Sequence, residues 1–192
     1  YAQHAIQLAQ QLAEQTVVTG EKICLIGIGG DGTIHEIING AGHFQHVVIG
    51  AIGGGSGNDF ARYFKTFHNA EQITQFWVNQ QSEAHDYGIL TMNKTERRFI
   101  NNSGIGFDAF AANESNLKKQ LNQIGLGKLS YVYYLMKGLF QFQPFDLTVS
   151  HNGEDKVYRK VWFATVSNQS FFGGGMNLTP MSNSQDGELE MT

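Results

Sequence analysis

The residues of this chain that could do chemistry lie in two glycine-rich tracts, at positions 27–33 and 53–59. The first tract reads Gly-Ile-Gly-Gly-Asp-Gly-Thr, and the second reads Gly-Gly-Gly-Ser-Gly-Asn-Asp. Glycine lets the backbone approach a ligand closely, and N–H groups at the start of a following helix attract anions. Asp31 and Asp59 suit Mg²⁺, which binds phosphates together with one or two carboxylates. The tracts therefore predict a site for a nucleoside triphosphate and Mg²⁺.

Three better-known glycine motifs do not account for these tracts. Residues 27–32 match the G-x-G-x-x-G loop of dinucleotide-binding enzymes, but Asp31 would face the pyrophosphate, and no acid follows about 20 positions later. Residues 54–58 miss the hydrolase pattern G-x-S-x-G, because Asn58 holds its last position. A Walker loop needs a lysine after its glycines, and neither tract has one. A nucleotide site without a Walker lysine remains.

The segments around the tracts predict alternating strands and helices. Residues 22–28 and 46–52 are nearly continuous apolar runs, which is typical of strands buried on both faces. Each run leads into a glycine tract and then a helical segment. This alternation predicts a parallel α/β layer whose ligand site lies at the carboxyl ends of the strands. The helices are predicted at residues 1–15, 33–39, 58–64 and 69–79, the last with Asn69 as its N-cap.

Strands and turns dominate the chain from about residue 85 onwards. Residues 87–102 predict one hairpin, and Asn152-Gly153 predicts the turn of another. A helical excursion at residues 111–142 separates the two. The predicted fold class is therefore α/β, with a parallel α/β nucleotide-binding domain at residues 1–87. Residues 88–192 form a second, β-rich domain with a helical insertion.

Composition bounds the class of protein. The chain has 192 residues, of which 41% are hydrophobic and 16% charged, and this profile excludes intrinsic disorder. A net charge of −4 does not favour a nucleic-acid partner. Cys24 is the only cysteine, so the sequence shows no internal disulfide that would argue for secretion. With no apolar stretch near the ~20 residues that cross a bilayer, a cytoplasmic protein is predicted.

Both ends of the sequence predict interrupted elements. Residues 1–15 predict a helix that is already under way at the first residue, with no cap in front of it. Residues 188–192 predict the start of a strand. The sequence is therefore expected to be a fragment that is truncated at both termini.

The tracts and their surroundings resemble the catalytic domain family of the diacylglycerol kinases, of the bacterial lipid kinase type. Residues 29–40 resemble the signature G-G-D-G-T-x-x-E-x-x-N-G, which the NAD kinases of the same superfamily share. Residues 55–62 resemble the second motif, G-T-x-N-D-F-A-R, and this motif favours the lipid kinase branch. Further matches follow in order at residues 85–88, 99–109, 167–176 and 186–189. The resemblance covers nearly the whole chain.

The resemblance implies that ATP and Mg²⁺ bind at the two tracts. The backbone from Gly30 to Glu36 and the hydroxyl of Ser56, which stands where threonine is commoner, are expected to contact ATP. Asp31, Asp59 and Asp86 are expected to form a Mg²⁺–water network beside the phosphates. The full set of expected nucleotide-binding residues is Gly30, Asp31, Gly32, Thr33, Ile34, His35, Glu36, Gly55, Ser56, Gly57 and Asn58.

A separate structural Mg²⁺ site is also implied, at the D-G-x-L segment. Asp186 is the expected side-chain ligand, and the backbone carbonyls of Asn183 and Glu188 are expected to complete the site. Gln185 replaces a frequent second acid, which weakens this prediction. The alternative is that Asp186 serves only as the turn residue before Gly187.

The implied activity is transfer of the γ-phosphate of MgATP to a lipid hydroxyl, most simply from diacylglycerol to phosphatidic acid in phospholipid biosynthesis. The catalytic base is expected beyond Thr192, so residues 1–192 alone are expected to be inactive. The lipid acceptor implies peripheral contact with the inner face of the membrane. Residues 131–140 could form an interfacial helix, although core packing is favoured. A homodimer is compatible with the sequence.

Three alternative functions stay open at this point. One is an NAD kinase-like activity, against which the N-D-F-A-R continuation at residues 58–62 speaks. Another is a sphingoid-type lipid kinase. The third is a nucleotide-binding module without catalysis, which the lack of a candidate base favours.

Overall fold

The structure of the chain is a computed structural model that describes residues 3–55, 57–107, 109, 138 and 141–192. Its contacts divide the chain into two compact units. The first unit comprises Tyr1–Ser103, Ser167–Glu190 and Thr192, and the second comprises Gly104–Val166 and Met191. The domain boundary between residues 87 and 88, which rests on sequence pattern, stays a prediction.

The first part of the chain alternates helices and strands, as predicted. Its strands β1 and β2 pair in parallel, with Ile23 opposite Val47 and Gly29 opposite Gly53. Both strands therefore end at the same edge, and each ends in a glycine tract. This confirms the predicted α/β fold class. The elements are α1 (His4–Val17), β1 (Ile23–Gly29), α2 (Asp31–Ala41), β2 (Val47–Gly53), α3 (Asp59–Tyr63) and α4 (Ala70–Val78).

Helix α2 is the centre of the packing, because it buries apolar side chains on two sides. Ile34 and Ile38 belong to one buried cluster, which also contains Ala51, Phe60 and Phe64. Ile37 and Ala41 belong to a second cluster, with Ala9 and Ala13 of α1. Gly40 lets the two helices approach closely, since a Cβ there would lie 2.2 Å from the carbonyl oxygen of Ile6. The end of the first signature thus serves packing.

The N-terminus of α4 follows the sequence prediction. Asn69 is its N-cap, and its side-chain oxygen accepts a hydrogen bond of 2.9 Å from the backbone N–H of Gln72. This satisfies one of the donors that a helix start leaves unpaired.

The rest of the described chain is built of short strands. Both predicted hairpins are present, β3 pairing with β4 and β6 with β7, all antiparallel. Asn93 and Lys94 at the first turn, and Asn152 and Gly153 at the second, have positive φ, as tight hairpin turns require. The strands are β3 (Gly88–Met92), β4 (Thr95–Phe99), β5 (Asn102–Gly106), β6 (Phe145–His151), β7 (Glu154–Val161), β8 (Phe163–Ser167), β9 (Phe171–Phe172), β10 (Met176–Asn177) and β11 (Glu190–Met191).

A three-stranded sheet has the order β11–β8–β5, and β9 pairs with β10 in a separate hairpin. The predicted helical excursion at residues 111–142 and the proposed interfacial stretch at 131–140 lie almost entirely outside the described residues. Within the described part, no helix has the length and apolar character needed to cross a membrane.

Candidate functional site

The two glycine tracts touch each other backbone to backbone. The N–H of Gly54 donates to the carbonyl of Gly29 at 2.9 Å. A Cβ added to Gly55 would lie 2.5 Å from the Cα of Gly30, and one added to Gly30 would lie 2.9 Å from the Cα of Gly55. Only glycine fits at both positions, because a side chain on either would overlap the backbone of the other tract.

Asn58 shapes the second tract. Its Oδ1 accepts from the N–H of Gly55 at 2.9 Å, and its Nδ2 donates to the carbonyl of Gly55 at 2.6 Å. Asn58 has φ 56°, in the left-handed region that asparagine tolerates better than most residues. The amide therefore closes the turn that leads into α3. Ser56, the expected hydroxyl donor to ATP, lies outside the described residues.

Asp31 stands at the first position of α2, where the helix dipole favours a negative charge. Its Oδ1 accepts from the N–H of Phe60 at 2.8 Å and from Nδ2 of Asn101 at 3.2 Å. Its Oδ2 has no hydrogen-bond donor among the described residues, and it lies 2.9 Å from where a Cβ on Gly57 would stand. This oxygen thus faces the second tract and is open to a ligand.

Asp59, at the start of α3, has a different environment. Both of its carboxylate oxygens accept from the N–H of Gly174, at 2.9 and 3.1 Å. The guanidinium of Arg62 lies 3.2 Å from its Oδ1 and also donates to the carbonyl of Gly57. The Asp59 side chain is only 10% exposed. Protein groups therefore already occupy this carboxylate.

Asp86 is tied to the D-G-x-L segment. Its Oδ2 accepts from the N–H of Gly187 at 2.8 Å, and its own N–H donates to the carbonyl of Ser184 at 2.6 Å. Its Oδ1 has no donor in the described part of the chain. Each of the three predicted carboxylates is thus held by a donor from a distant segment, namely Asn101, Gly174 and Gly187.

Two asparagines connect Asp31 with Asp86. Asn101 donates to Asp31, and its backbone carbonyl accepts from the N–H of Asn168 at 2.9 Å. The fully buried Asn168 in turn donates to the backbone carbonyl of Asp86 at 2.8 Å. The sequence motifs contain both asparagines, but they carried no predicted role. Asn101 lies between β4 and β5 and Asn168 directly follows β8, so the only available signal was their position at strand ends within the quoted motifs.

Glu36 and Asn39, in the second half of the first signature, hold neighbouring elements of the fold together. Glu36 accepts from the N–H groups of Gln3 at 2.9 Å and Ala5 at 3.1 Å, and so caps the start of α1. Asn39 pairs with the backbone of Arg98, accepting from its N–H at 2.9 Å and donating to its carbonyl at 2.8 Å. These contacts fasten α2 to α1 and β4.

The remaining expected nucleotide residues lie in the first turns of α2. Gly32 is exposed, with no atom within 4 Å of an added Cβ. The Thr33 N–H donates to the carbonyl of Gly30 at 3.0 Å, and the Ile34 side chain is buried in the core. Burial and the positive charge of Arg97 lower the pKa of His35, with partial opposition from Glu36. The Ile34 N–H also donates to the carbonyl of Gly30, so the N–H groups of the first turn without a partner among the described residues are those of Asp31 and Gly32.

The predicted structural metal residues form a turn. The Oδ1 of Asp186 accepts from the N–H of Glu188 at 3.0 Å, and Gly187 has φ 75°. The carbonyl of Asn183 accepts from the N–H of Asp186 at 3.4 Å. Among the described residues, no three His, Cys, Asp or Glu side chains are grouped to hold a metal. The site with two carbonyl ligands stays a prediction.

The donor set at the tracts fits a magnesium-bound triphosphate. The first turn of α2 leaves N–H groups unpaired, and the open space at Gly32 gives a phosphate access to them. The open Oδ2 of Asp31 is a hard oxygen ligand of the kind that Mg²⁺ prefers.

Comparison with known proteins gives two family matches. The diacylglycerol kinase catalytic domain matches residues 1–90, and the YegS C-terminal NAD kinase beta sandwich-like domain matches residues 102–192. The chain is 31% identical over 192 residues to the "Putative lipid kinase YtlR" of Bacillus subtilis, covering 95% of this chain and 61% of that protein. It is 30% identical over 187 residues to a "Putative lipid kinase" of Staphylococcus aureus strain Mu3, covering 96% and 58%.

A solved structure has the same fold. "A putative diacylglycerol kinase from Bacillus anthracis str. Sterne" superposes with a TM-score of 0.65 at 22% identity. The match covers 100% of this chain and 61% of that one. The chain thus spans about three fifths of the length of these relatives.

Proposed function

We propose that this chain is the nucleotide-binding part of an ATP-dependent lipid kinase. The chain belongs to the diacylglycerol kinase catalytic domain family through residues 1–90 and to the YegS C-terminal domain family through residues 102–192. The reaction would transfer the γ-phosphoryl group of ATP to a lipid hydroxyl. A bond forms between phosphorus and the hydroxyl oxygen, the bond to the β-phosphate oxygen breaks, and the hydroxyl loses its proton. The catalytic base takes up that proton, and the products are ADP and a phosphorylated lipid.

The observation that carries this proposal is the meeting of the two glycine tracts beside the open oxygen of Asp31. Backbone N–H groups at the start of a helix would by themselves hold any anion. The Oδ2 of Asp31, which has no protein donor in the described part of the chain, would repel a bare phosphate and accept one that carries a cation. The geometry thus favours a magnesium-bound nucleotide over a free anion.

The residues of this chain would contribute binding, positioning and charge compensation. When bound, MgATP supplies the transferable phosphoryl group and the cation that offsets its charge. Backbone N–H groups at the start of α2 would hold the phosphates, and Asp31 and Asp86 would orient the cation and its waters. The close contact of Gly30 with Gly55 would keep both loops in one arrangement, which lowers the entropic cost of reaching the reactive geometry.

The lipid acceptor is proposed from the family and from the names of the relatives. Diacylglycerol is the first candidate, because the matched catalytic domain and the Bacillus anthracis protein are named for its kinase, and a sphingoid base is the second. The catalytic base is proposed to lie in a part of the protein beyond this chain. Contact with the lipid would require peripheral docking at a membrane, with the protein otherwise in the cytoplasm.

The test is phosphoryl transfer by the intact protein that carries this chain. The purified protein receives labelled ATP with Mg²⁺ and, in separate reactions, vesicles with diacylglycerol, vesicles with a sphingoid base, or NAD. We expect label in the diacylglycerol product. Asp31→Asn should lower kcat/KM by about 100-fold or more, because it removes charge that faces the cation. Asp155→Asn, at an exposed position near the start of β7, is the matched control and should leave the rate unchanged.

Two outcomes would replace the proposal. Label in NAD instead of lipid would make the protein an NAD kinase. Tight binding of MgATP with no product from any acceptor would make it a nucleotide-binding module without catalysis. Full activity of Asp31→Asn would remove the magnesium role from Asp31.

A further inference from the structure

The segment 171–177 forms a hairpin with an all-glycine tip, which we call the glycine hairpin. Met176 pairs with Phe172, and the three residues between them are Gly173, Gly174 and Gly175. Their φ angles are 58°, 92° and 110°, in a region that residues with a side chain rarely adopt. The tip conformation therefore requires glycine. Because glycine has few conformational restrictions, some other contact must hold the tip in this conformation.

The base of the glycine hairpin is held firmly. The fully buried Gln169 accepts from the N–H of Phe171 at 2.6 Å and donates to its carbonyl at 2.7 Å. Asn102 donates to the same carbonyl at 2.8 Å. These bonds fix the first strand of the hairpin, but none of them reaches its tip.

The tip is held by Asp59. Both oxygens of this carboxylate accept from the N–H of Gly174, at 2.9 and 3.1 Å, across 115 positions of the sequence. An added Cβ on Gly174 would find no atom within 4 Å, so no close packing around that position restrains it. Asp59 therefore holds Gly174 by hydrogen bonding, while the side chain of Arg62 packs against Gly175, where an added Cβ would lie 2.9 Å from Nε.

The surroundings of Asp59 disfavour a second cation there. Arg62 already places a positive charge 3.2 Å from its Oδ1. A Mg²⁺ ion bound to the same carboxylate would be repelled by that guanidinium and would compete with the N–H of Gly174. Asp31 has no such cationic neighbour within salt-bridge distance in the described chain, and its Oδ2 is open.

We infer that Asp59 is a positioning residue and not a magnesium ligand. It fixes the tip of the glycine hairpin against α3 and the second glycine tract. Its effect on phosphoryl transfer passes through Gly174. This inference rests on the proposed kinase function. It departs from the magnesium role that the family resemblance implies for Asp59. Arg62 supports the arrangement, since it joins Asp59 to the carbonyl of Gly57 in the second tract.

The test compares Asp59→Ala and Asp59→Asn in the intact protein. Asparagine keeps an oxygen that can accept from Gly174, whereas alanine has none. We expect amide hydrogen exchange at Gly174 to quicken about tenfold or more in Asp59→Ala and clearly less in Asp59→Asn. The Mg²⁺ concentration that half-saturates MgATP binding should stay within about twofold of wild type in both.

Kinase kinetics supply the second measurement. With Mg²⁺ saturating, kcat should fall about tenfold or more in Asp59→Ala and be largely rescued in Asp59→Asn, as a positioning role through Gly174 predicts. Glu71→Gln, which changes a carboxylate in the first turn of α4, is the control and should match wild type in every measurement. Circular dichroism checks that each variant is folded. If Asp59→Ala does not fold, the comparison of Asp59→Asn with wild type still decides between the two roles.

Two results would overturn the inference. One is unchanged exchange at Gly174 in both Asp59 variants. The other is a shift of tenfold or more in Mg²⁺ half-saturation for Asp59→Asn, which would make Asp59 a metal ligand. Because exchange and Mg²⁺-dependent nucleotide binding need no turnover, they still decide the role of Asp59 if the protein proves not to be a lipid kinase.

Discussion

Gly30 and Gly55 lie in backbone contact, so close that a Cβ on Gly55 would stand 2.5 Å from the Cα of Gly30. The two residues follow the ends of neighbouring parallel strands, and their tracts lead into different helices. Their contact makes one surface out of two loops that are 25 positions apart in the sequence. The absence of side chains at these two positions is therefore a requirement of the site.

Gly55→Ala should force the two loops apart. The added methyl group would meet backbone rather than a flexible side chain, so we expect a loss of about 1–3 kcal/mol in the free energy of unfolding. Affinity for MgATP should fall together with stability. Urea denaturation and nucleotide titration measure the two effects. Gly54→Ala is the control, because its Cβ would have its nearest neighbour at an ordinary 3.7 Å; equal behaviour of the two variants would contradict the prediction.

Gly32→Ala should separate folding from binding. No atom lies within 4 Å of the added Cβ, and the residue is exposed in the first turn of α2. Alanine is the better helix former, so stability should stay constant or rise by up to about 1 kcal/mol. Affinity for MgATP should nevertheless fall, because the methyl group takes space that the phosphates would use. Wild-type affinity in a calorimetric titration would show that the nucleotide does not approach this turn.

Asn101→Asp should make nucleotide binding depend on pH. The new carboxylate would take the place of an amide that lies 3.2 Å from Oδ1 of Asp31. Two like charges at that distance raise the pKa of at least one of them, so a proton is retained to a higher pH. We expect the affinity for MgATP to drop as pH is lowered from 8 to 6, by about tenfold more than in wild type. Asn101→Ala, which adds no charge, should show no such extra dependence.

Asn39→Ala should destabilise the fold without touching the phosphate loops. It removes the two hydrogen bonds, of 2.8 and 2.9 Å, that Asn39 makes with the backbone of Arg98. Two bonds of ordinary strength and the unpaired groups left behind correspond to about 2–3 kcal/mol in the free energy of unfolding. Urea denaturation measures it. A loss below about 0.5 kcal/mol would mean that water replaces the amide at little cost.

His35→Gln should weaken the loss of stability in mild acid. Burial, and then the charge of Arg97, lower the pKa of His35 below its ordinary value of 6.5. As pH falls below 6.5, His35 becomes protonated in the unfolded chain but stays neutral in the folded protein. The folded state therefore loses stability until the pH reaches the lowered pKa of folded His35. Unfolding free energies between pH 7.5 and 5 should therefore fall less steeply in the variant. His68→Gln, at an exposed position, is the comparison, and an equal slope in both variants would refute the prediction.

Local pattern was enough to predict several elements of this fold. Two apolar runs predicted the parallel strands β1 and β2, and Asn152-Gly153 predicted the turn between β6 and β7. Asn69 was predicted as the cap of α4, and its side chain makes the capping bond. These features depend on residues a few positions apart, whose preferences the sequence displays directly.

The sequence also displays glycine tracts followed by aspartates at strand ends, and the phosphate and magnesium site inferred from them stays a prediction. What the sequence by itself determined is which residue types stand at the edge of the β1–β2 sheet. Only the tertiary structure decided what each carboxylate does there. Asp31 keeps an open oxygen, whereas Asp59 is engaged by Gly174 and Arg62.

The reason is physical. A carboxylate's role depends on the donors and charges within a few ångströms of it, and for Asp31, Asp59 and Asp86 one donor each comes from a position 70, 115 or 101 residues away. Local preferences do not encode such partners, since folding brings them together through the burial of α2 and the pairing of remote strands.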